Sequence, residues 1–249
     1  MQPTLPAELY DLLCDLLAGL RGVFGDELAG VYLYGSSVAG DFDAKRSDVD
    51  LLIACASDVA GRMGEIDAFH GALIRARPAW EDRIDAVFAP IAALRDFRTQ
   101  VSWLAFVSPG EPLHLRETGE VWLVNWHLVR EIGVTLVGPS PRALIAPTTQ
   151  AEFVAAVRAH LRGWPDWIKA SDRPGFHAYT VLTICRALHV CRNGNQLSKP
   201  QAARWAAAEY PQWAALIASA LAWRSQPVAR ELGRGAVELI DFAIRETGV

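Results

Sequence analysis

Positive charge is not in excess in this chain: 24 Lys and Arg stand against 28 Asp and Glu in 249 residues, a formal net charge of −4, and the sequence pI is near 5.9. That balance excludes a protein that tracks a nucleic-acid backbone along a basic stripe, so no nucleic-acid partner is expected; a small cationic ligand suits it better. Cysteine is scarce. Cys14, Cys55, Cys185 and Cys191 form no CxxC pair and lie in apolar runs, which points to reduced core thiols. No stretch approaches 18 uncharged apolar residues, and the first six residues lack the basic-then-apolar order of a signal peptide. The expectation is a cytoplasmic monomer with no membrane partner. The six histidines show no metal-ligand spacing, and the chain has no internal repeat or low-complexity tract.

What the chain does have is 51 % hydrophobic residues, enough for one large domain or two small ones. Leu9, Leu12, Leu13, Leu16, Leu17, Leu20 and Val23 recur at three- and four-residue steps and predict a helix over residues 7–23. Strands are predicted at 30–34, 48–54 and 83–89, a helix over 59–77 closed by Pro78, another over 120–132, and a strand from Val134 stopped by Gly138 and Pro139. Residues 90–120 carry Pro90, Pro109, Gly110 and Pro112 and read as loops that contact substrate. Prolines 139, 141 and 147 mark a linker. Beyond it the period is helical, with helices at 150–164, 175–193, 199–209, 212–224 and 228–246, and Ser198 caps the third of these. The expected fold class is an α/β N-terminal domain with a small mixed sheet, residues 1–146, followed by an all-α C-terminal helical bundle, residues 147–249. A small-molecule site is expected in the cleft between two such domains.

The most informative stretch is 31–53. Val31, Leu33 and Tyr34 form a buried β-run, and Gly35 with Ser36 and Ser37 makes a turn whose N–H groups and hydroxyls can approach an anion closely. Asp48 and Asp50 follow at i and i+2 at the start of the next strand, where period-two geometry sends both carboxylates to one face. They repel unless a proton or a cation lies between them, and a hard divalent metal bridging to substrate phosphates is the usual answer. Asp85, a carboxylate in a short apolar strand, asks for a cation for the same reason. The three acids beside a Gly-Ser turn fit two-metal attack on a nucleoside triphosphate. One magnesium ion would hold the β- and γ-phosphates, and the other would lie between the attacking hydroxyl and the α-phosphorus. Asp85 is then the general base or a ligand on the nucleophile's side.

Tyr34-Gly35-Ser36-Ser37 to Ser47-Asp48-Val49-Asp50-Leu51-Leu52 resembles the signature of the DNA-polymerase-β-like nucleotidyltransferases, and specifically their antibiotic-modifying branch. Val134-Thr-Leu-Val-Gly-Pro, Val181-Leu-Thr-Ile-Cys-Arg186 and Leu197-Ser-Lys199-Pro-Gln-Ala-Ala-Arg-Trp205-Ala are similar to the streptomycin/spectinomycin (aminoglycoside 3″-) adenylyltransferase family. The resemblance implies that Asp48 and Asp50 bind magnesium, that Gly35, Ser36 and Ser47 belong to the triphosphate site, and that Asp85 stands where the family has a glutamate base. It also implies that Arg186 and Lys199 contact the ATP phosphates and that Trp223 lies near an adenine-stacking aromatic. The implied reaction is magnesium-dependent transfer of AMP from ATP to a hydroxyl of an aminoglycoside or aminocyclitol, with release of pyrophosphate. The same chemistry on a protein or other small-molecule hydroxyl, or a non-catalytic nucleotide-binding relative, is the alternative.

Other residues weigh in from their own chemistry. Arg186 lies on an otherwise apolar helix, where an unpaired arginine is costly, which favours a functional role. Trp103, Trp122 and Trp126 are candidates for an acceptor pocket, with Trp103 standing in for the family's substrate-contacting tryptophan. Glu111, Glu117 and Glu120 are candidate partners for ammonium groups, although solvated surface is the commoner role for each. Around Phe176 and His177 the aspartate that the family uses for streptomycin is not found.

Overall fold

The leucine stripe forms helix α1, Ala7–Phe24, and buries Leu9, Leu12, Leu13, Leu16, Leu20 and Phe24, each such burial contributing roughly 1.5–3 kcal/mol. It does so in a computed structural model that describes residues 5–170, 174–225 and 232–249. The chain divides into two compact units, Met1–Thr148 and Thr149–Val249.

The first unit is built on a mixed sheet of six strands: β1 (Leu28–Tyr34), β2 (Val49–Cys55), β3 (Ile84–Pro90), β4 (Ser102–Val107), β5 (His114–Thr118) and β6 (Val134–Val137). Their order is β5-β4-β3-β2-β1-β6. Only β2 and β3 are parallel, joined through helix α3 (Met63–Ala76); the other neighbours are antiparallel. Side chains alternate across the sheet. Val31, Leu33, Leu51, Ile53, Ala86, Phe88, Ala105 and Val107 pack with α1 and α3 on one face. Tyr32, Leu52, Val87, Leu104 and Phe106 are buried on the other, the side of helix α5 (Leu123–Ile132).

Two readings of the sequence are corrected. Residues 90–120, read as loops, hold β4, β5 and the short helix α4 (Ile91–Asp96). The prolines mask a hairpin: Pro109, Gly110 and Pro112 lie in the turn, and β5 is a polar edge strand without a hydrophobic pattern to announce it. Of residues 139–149, read as a linker, 139–148 are tied into the first unit. They form helix α6 (Pro141–Leu144) with Leu144 and Ile145 buried, and Arg130 on α5 donates to the Ile145 carbonyl at 2.6 Å. The cysteines also divide. Cys55 and Cys185 are buried, Cys191 is half-buried, and Cys14 is exposed because it falls off the leucine stripe of α1.

In the second unit, helix α7 (Gln150–Trp167) starts with a capping box between Thr149 and Glu152. Helix α8 (Pro174–Asn193) is central and packs against α7, α9 (Lys199–Glu209), α10 (Ala214–Ser225) and α11 (Gly233–Thr247). Ser198 caps α9 as expected, its hydroxyl accepting from Gln201 N–H. The predicted start of the last helix at 228 lies outside the described residues. Among the described residues no helix is long and apolar enough to cross a membrane.

Candidate active site

Gly35 ends β1 with φ 66° and ψ −142°, a conformation that belongs to glycine. The glycine is also required for space, since a Cβ there would stand 2.0 Å from Asp50 Oδ2. The chain turns at once into the four-residue helix α2 (Ser36–Ala39), in which Val38 and Ala39 N–H bond the Gly35 carbonyl at 3.3 and 3.1 Å. The amides of Ser36 and Ser37 open this turn and have no carbonyl one turn earlier. Ser37 is buried, and its Oγ has no hydrogen-bond partner among the described residues. Gly35→Ala is expected to cost about 1–3 kcal/mol from the backbone alone and to displace the Asp50 carboxylate. A thermal melt and a transfer assay check this, both falling together.

Asp48 lies just before β2, exposed, at the end of a loop with its own fastening. Ser47 is buried, and its Oγ accepts from Asp43 N–H at 2.9 Å, so this candidate triphosphate contact also closes its loop. Arg83, at the entry to β3, donates to the carbonyls of Ala44 and Ser47, both at 2.8 Å, and its guanidinium lies 4.4 Å from the Trp80 ring centroid. In the sequence this arginine was only an interruption of an apolar strand. Arg83→Ala is expected to lower transfer on the order of 10–100-fold by letting Asp48 move. Unchanged kinetics in the variant would refute the positioning role.

Asp50 on β2 pairs in register with Asp85 on β3 and with Tyr34 on β1, so the three side chains share one sheet face. Asp85 Oδ1 accepts from Ser108 Oγ at 3.2 Å. Burial pushes the Asp85 carboxyl up to about 6; the Ser108 hydrogen bond and the Arg116 charge pull it down, while Asp48 and Glu111 push it further up. The Tyr34 hydroxyl is held well above its ordinary value, first by burial and then by Asp50 and Asp85. The site therefore disfavours further negative charge unless a cation is supplied. Among the described residues no group of three or more Asp, Glu, His or Cys side chains is arranged to hold a metal ion by itself. A magnesium ion placed here would need substrate phosphates to complete its shell, as is common for that ion.

The same face carries an aromatic wall of which the sequence reading named Trp122 and Trp126 but not Phe106 or its flanking His114 and Arg116. Phe106 on β4 is flanked by His114, stacked at 5.6 Å, and by the Arg116 guanidinium at 4.2 Å, and its ring meets Trp122 at 4.9 Å. Trp126 lies behind Trp122 at 5.7 Å and is buried, its Nε1 without a partner among the described residues. The run Trp103–Val107, bounded by Pro109-Gly110, was the available strand signal. Trp103 itself is corrected. It alternates with Leu104 and shares the face of Ala105 and Val107, opposite Asp85, and is 50 % exposed. Glu117, its register partner, lies on that wrong face too.

In the second unit, Arg186 sits mid-way along α8, half-buried, with its Nε buried and without a partner among the described residues. Tyr179 is seven residues earlier on the same stripe of α8, and the Lys199 ammonium at the start of α9 lies 4.6 Å from its ring centroid. The helices thus bring Arg186 and Lys199 towards one stripe of α8. Trp223 on α10 is half-buried against the start of α8, where a Cβ on Gly175 would stand 2.6 Å from its ring.

The aligned carboxylates, the Gly-Ser turn and the sheet that carries them have the layout expected of a nucleotidyltransferase. The chain is similar in fold to spectinomycin adenyltransferase AAD(9) from Enterococcus faecialis, solved with ATP and spectinomycin. The TM-score is 0.77 at 13 % identity over 96 % of this chain and 99 % of that one. Residues 143–244 match the family described as aminoglycoside adenylyltransferase, C-terminal domain. That match agrees with the resemblance read from the sequence.

Proposed function

We propose that the protein transfers AMP from ATP to a hydroxyl of an aminoglycoside or aminocyclitol and releases pyrophosphate, acting as a monomer on a small molecule. The observation that carries the reading is the in-register pair of Asp50 and Asp85 beside Gly35. Asp85, half-buried and bonded to Ser108, accepts the proton of the acceptor hydroxyl. The hydroxyl oxygen forms a bond to the α-phosphorus, and the bond from that phosphorus to the pyrophosphate oxygen breaks. Asp48 and Asp50, with Asp85 on the acceptor side, would hold two magnesium ions, which when bound supply charge neutralisation to the triphosphate. Gly35, Ser36 and Ser47 form the turn and loop that receive the phosphates. Arg186 and Lys199 provide positive charge for the leaving group, and Trp223 provides a surface for adenine. Most of the work is positioning and electrostatics, because phosphoryl-type transfer leaves the protein little covalent chemistry to do.

The test is incubation with magnesium, ATP and either spectinomycin or streptomycin, followed by mass spectrometry of the antibiotic. A gain of one AMP with stoichiometric pyrophosphate is expected; no AMP on any member of a broad aminoglycoside and aminocyclitol panel would refute the acceptor assignment.

A further inference from the structure

The turn between β4 and β5 begins Ser108-Pro109-Gly110-Glu111. Pro109 stands second and Gly110, with φ 75°, stands third, while the Glu111 N–H donates to the Ser108 carbonyl at 3.1 Å and closes the turn. A proline with its fixed φ followed by a glycine at positive φ is the sequence for a type II turn. Its place relative to β3 is set by pairing. Ala86 on β3 is the antiparallel partner of Val107, and one step further along the two chains Ser108 comes opposite Asp85. Ser108 thus continues the row of Tyr34, Asp50 and Asp85 on one face of the sheet. Two hydrogen bonds then tie the turn to the entry of β3: Ser108 Oγ donates to Asp85 Oδ1 at 3.2 Å, and Gly110 N–H donates to Asp82 Oδ1 at 3.2 Å. Asp82 holds φ 53°, a left-handed conformation that aspartate tolerates better than most side chains.

We infer that Ser108 is a positioning residue for Asp85, and that the Ser-Pro-Gly-Glu turn with its tie to Asp82 holds the serine hydroxyl on Oδ1. This rests on the adenylyl-transfer reading, in which Asp85 takes the proton of the acceptor hydroxyl. The carboxyl group of an aspartate turns about a broad, roughly two-fold torsion, so its own bonds do not select the oxygen that meets the acceptor. A hydroxyl on Oδ1 removes that freedom: Oδ1 is occupied, and Oδ2 is left for the proton. The hold strengthens when Asp85 is ionised, because a carboxylate is the better hydrogen-bond acceptor. In the transfer step the proton passes from the acceptor oxygen to Oδ2, and Ser108 keeps its own. Misplacing a reacting group by about 1 Å costs on the order of 10²-fold in rate. Ser108 acts through Asp85 and not on a substrate, so its effect belongs in kcat and not in KM.

The experiment measures kcat and KM with magnesium, ATP and either spectinomycin or streptomycin at pH 8, where Asp85 is ionised. Ser108→Ala is expected to lower kcat about 10–100-fold, with KM for ATP and for the acceptor unchanged and the thermal midpoint close to that of wild type. Ser108→Thr keeps the hydroxyl and should restore most of the lost turnover. Asp82→Ala frees the turn and should lower kcat in the same direction, adding little when combined with Ser108→Ala because both act through one hydrogen bond. In an Asp85→Asn background Ser108→Ala should leave the residual rate unchanged, since no base remains to be positioned. Full kcat in Ser108→Ala, a loss that falls on acceptor KM alone, the same loss in Ser108→Thr as in Ser108→Ala, or a further fall in the Asp85→Asn background overturns the inference while leaving adenylyl transfer in place. Wild-type protein that puts AMP on no member of the aminoglycoside and aminocyclitol panel overturns the reading it rests on and the inference together.

Discussion

Asp50→Asn is expected to lower AMP transfer on the order of 10³-fold or more while leaving the fold intact. The side chain is nearly isosteric, and Asp50 is locked in register between Tyr34 and Asp85 with its carboxylate over Gly35, so the amide occupies the same space. What is lost is one unit of negative charge at the point where the triphosphate and its magnesium must be received. The magnesium concentration needed for half-maximal activity should therefore increase. Initial rates across a magnesium titration, with a melt on the same preparation, check both parts. A variant retaining a tenth of wild-type activity would show that Asp50 does not serve the metal–phosphate site.

Asp85→Asn is expected to remove transfer by about 10²–10⁴-fold, the usual scale for loss of a positioned general base, and to change stability in a way that depends on pH. Burial raises the carboxyl from 3.8 to about 6 in the folded chain, so the native state holds its proton more tightly than the unfolded state does. Stability from this group is therefore fully present below the unfolded value and declines as pH rises through about 6. Above that range the ionised carboxylate costs the fold on the order of 2–3 kcal/mol. Asparagine has no such dependence and still accepts the Ser108 hydrogen bond. In the presence of a chelator, the variant should melt higher than wild type at pH 8, with the two curves converging towards pH 4. Wild-type kcat/KM should in turn rise with pH as Asp85 loses its proton, at a lower pH than in the metal-free protein because magnesium favours the carboxylate. Asp85→Glu separates base from scaffold: it should keep transfer within about tenfold, as a carboxylate of longer reach. Equal inactivity of the Glu and Asn variants would refute the assignment of Asp85 as base.

How far the chain could be read depended on which interactions were local. The leucine steps of α1, the strand ends around Gly35 and Asp50, the Ser198 cap and the helical period beyond residue 150 are all short-range patterns, and each appears in the structure. Ser108, Phe106, Arg116 and Trp122 were not legible as a group. They meet only because β4 and β5 add to the edge of the sheet next to β3, and β5 is a polar edge strand whose place is set by pairing. Trp103 shows the same limit from the other side: it is one residue out of phase with the face that carries Asp85.

The sequence by itself determined the donor set on which the phosphate-side proposal rests, a glycine, two hydroxyls and paired carboxylates at fixed spacings around a strand. It also determined the helical character of the second unit, which holds most of the residues that match the aminoglycoside adenylyltransferase C-terminal family. Only the tertiary structure decided that Asp50 and Asp85 stand side by side, that Arg83 fastens the loop before Asp48, and that an arginine stacked on Phe106 shares the sheet face of Asp85. Strand register and face are long-range properties, set by which strands pair, and no local spacing contains them.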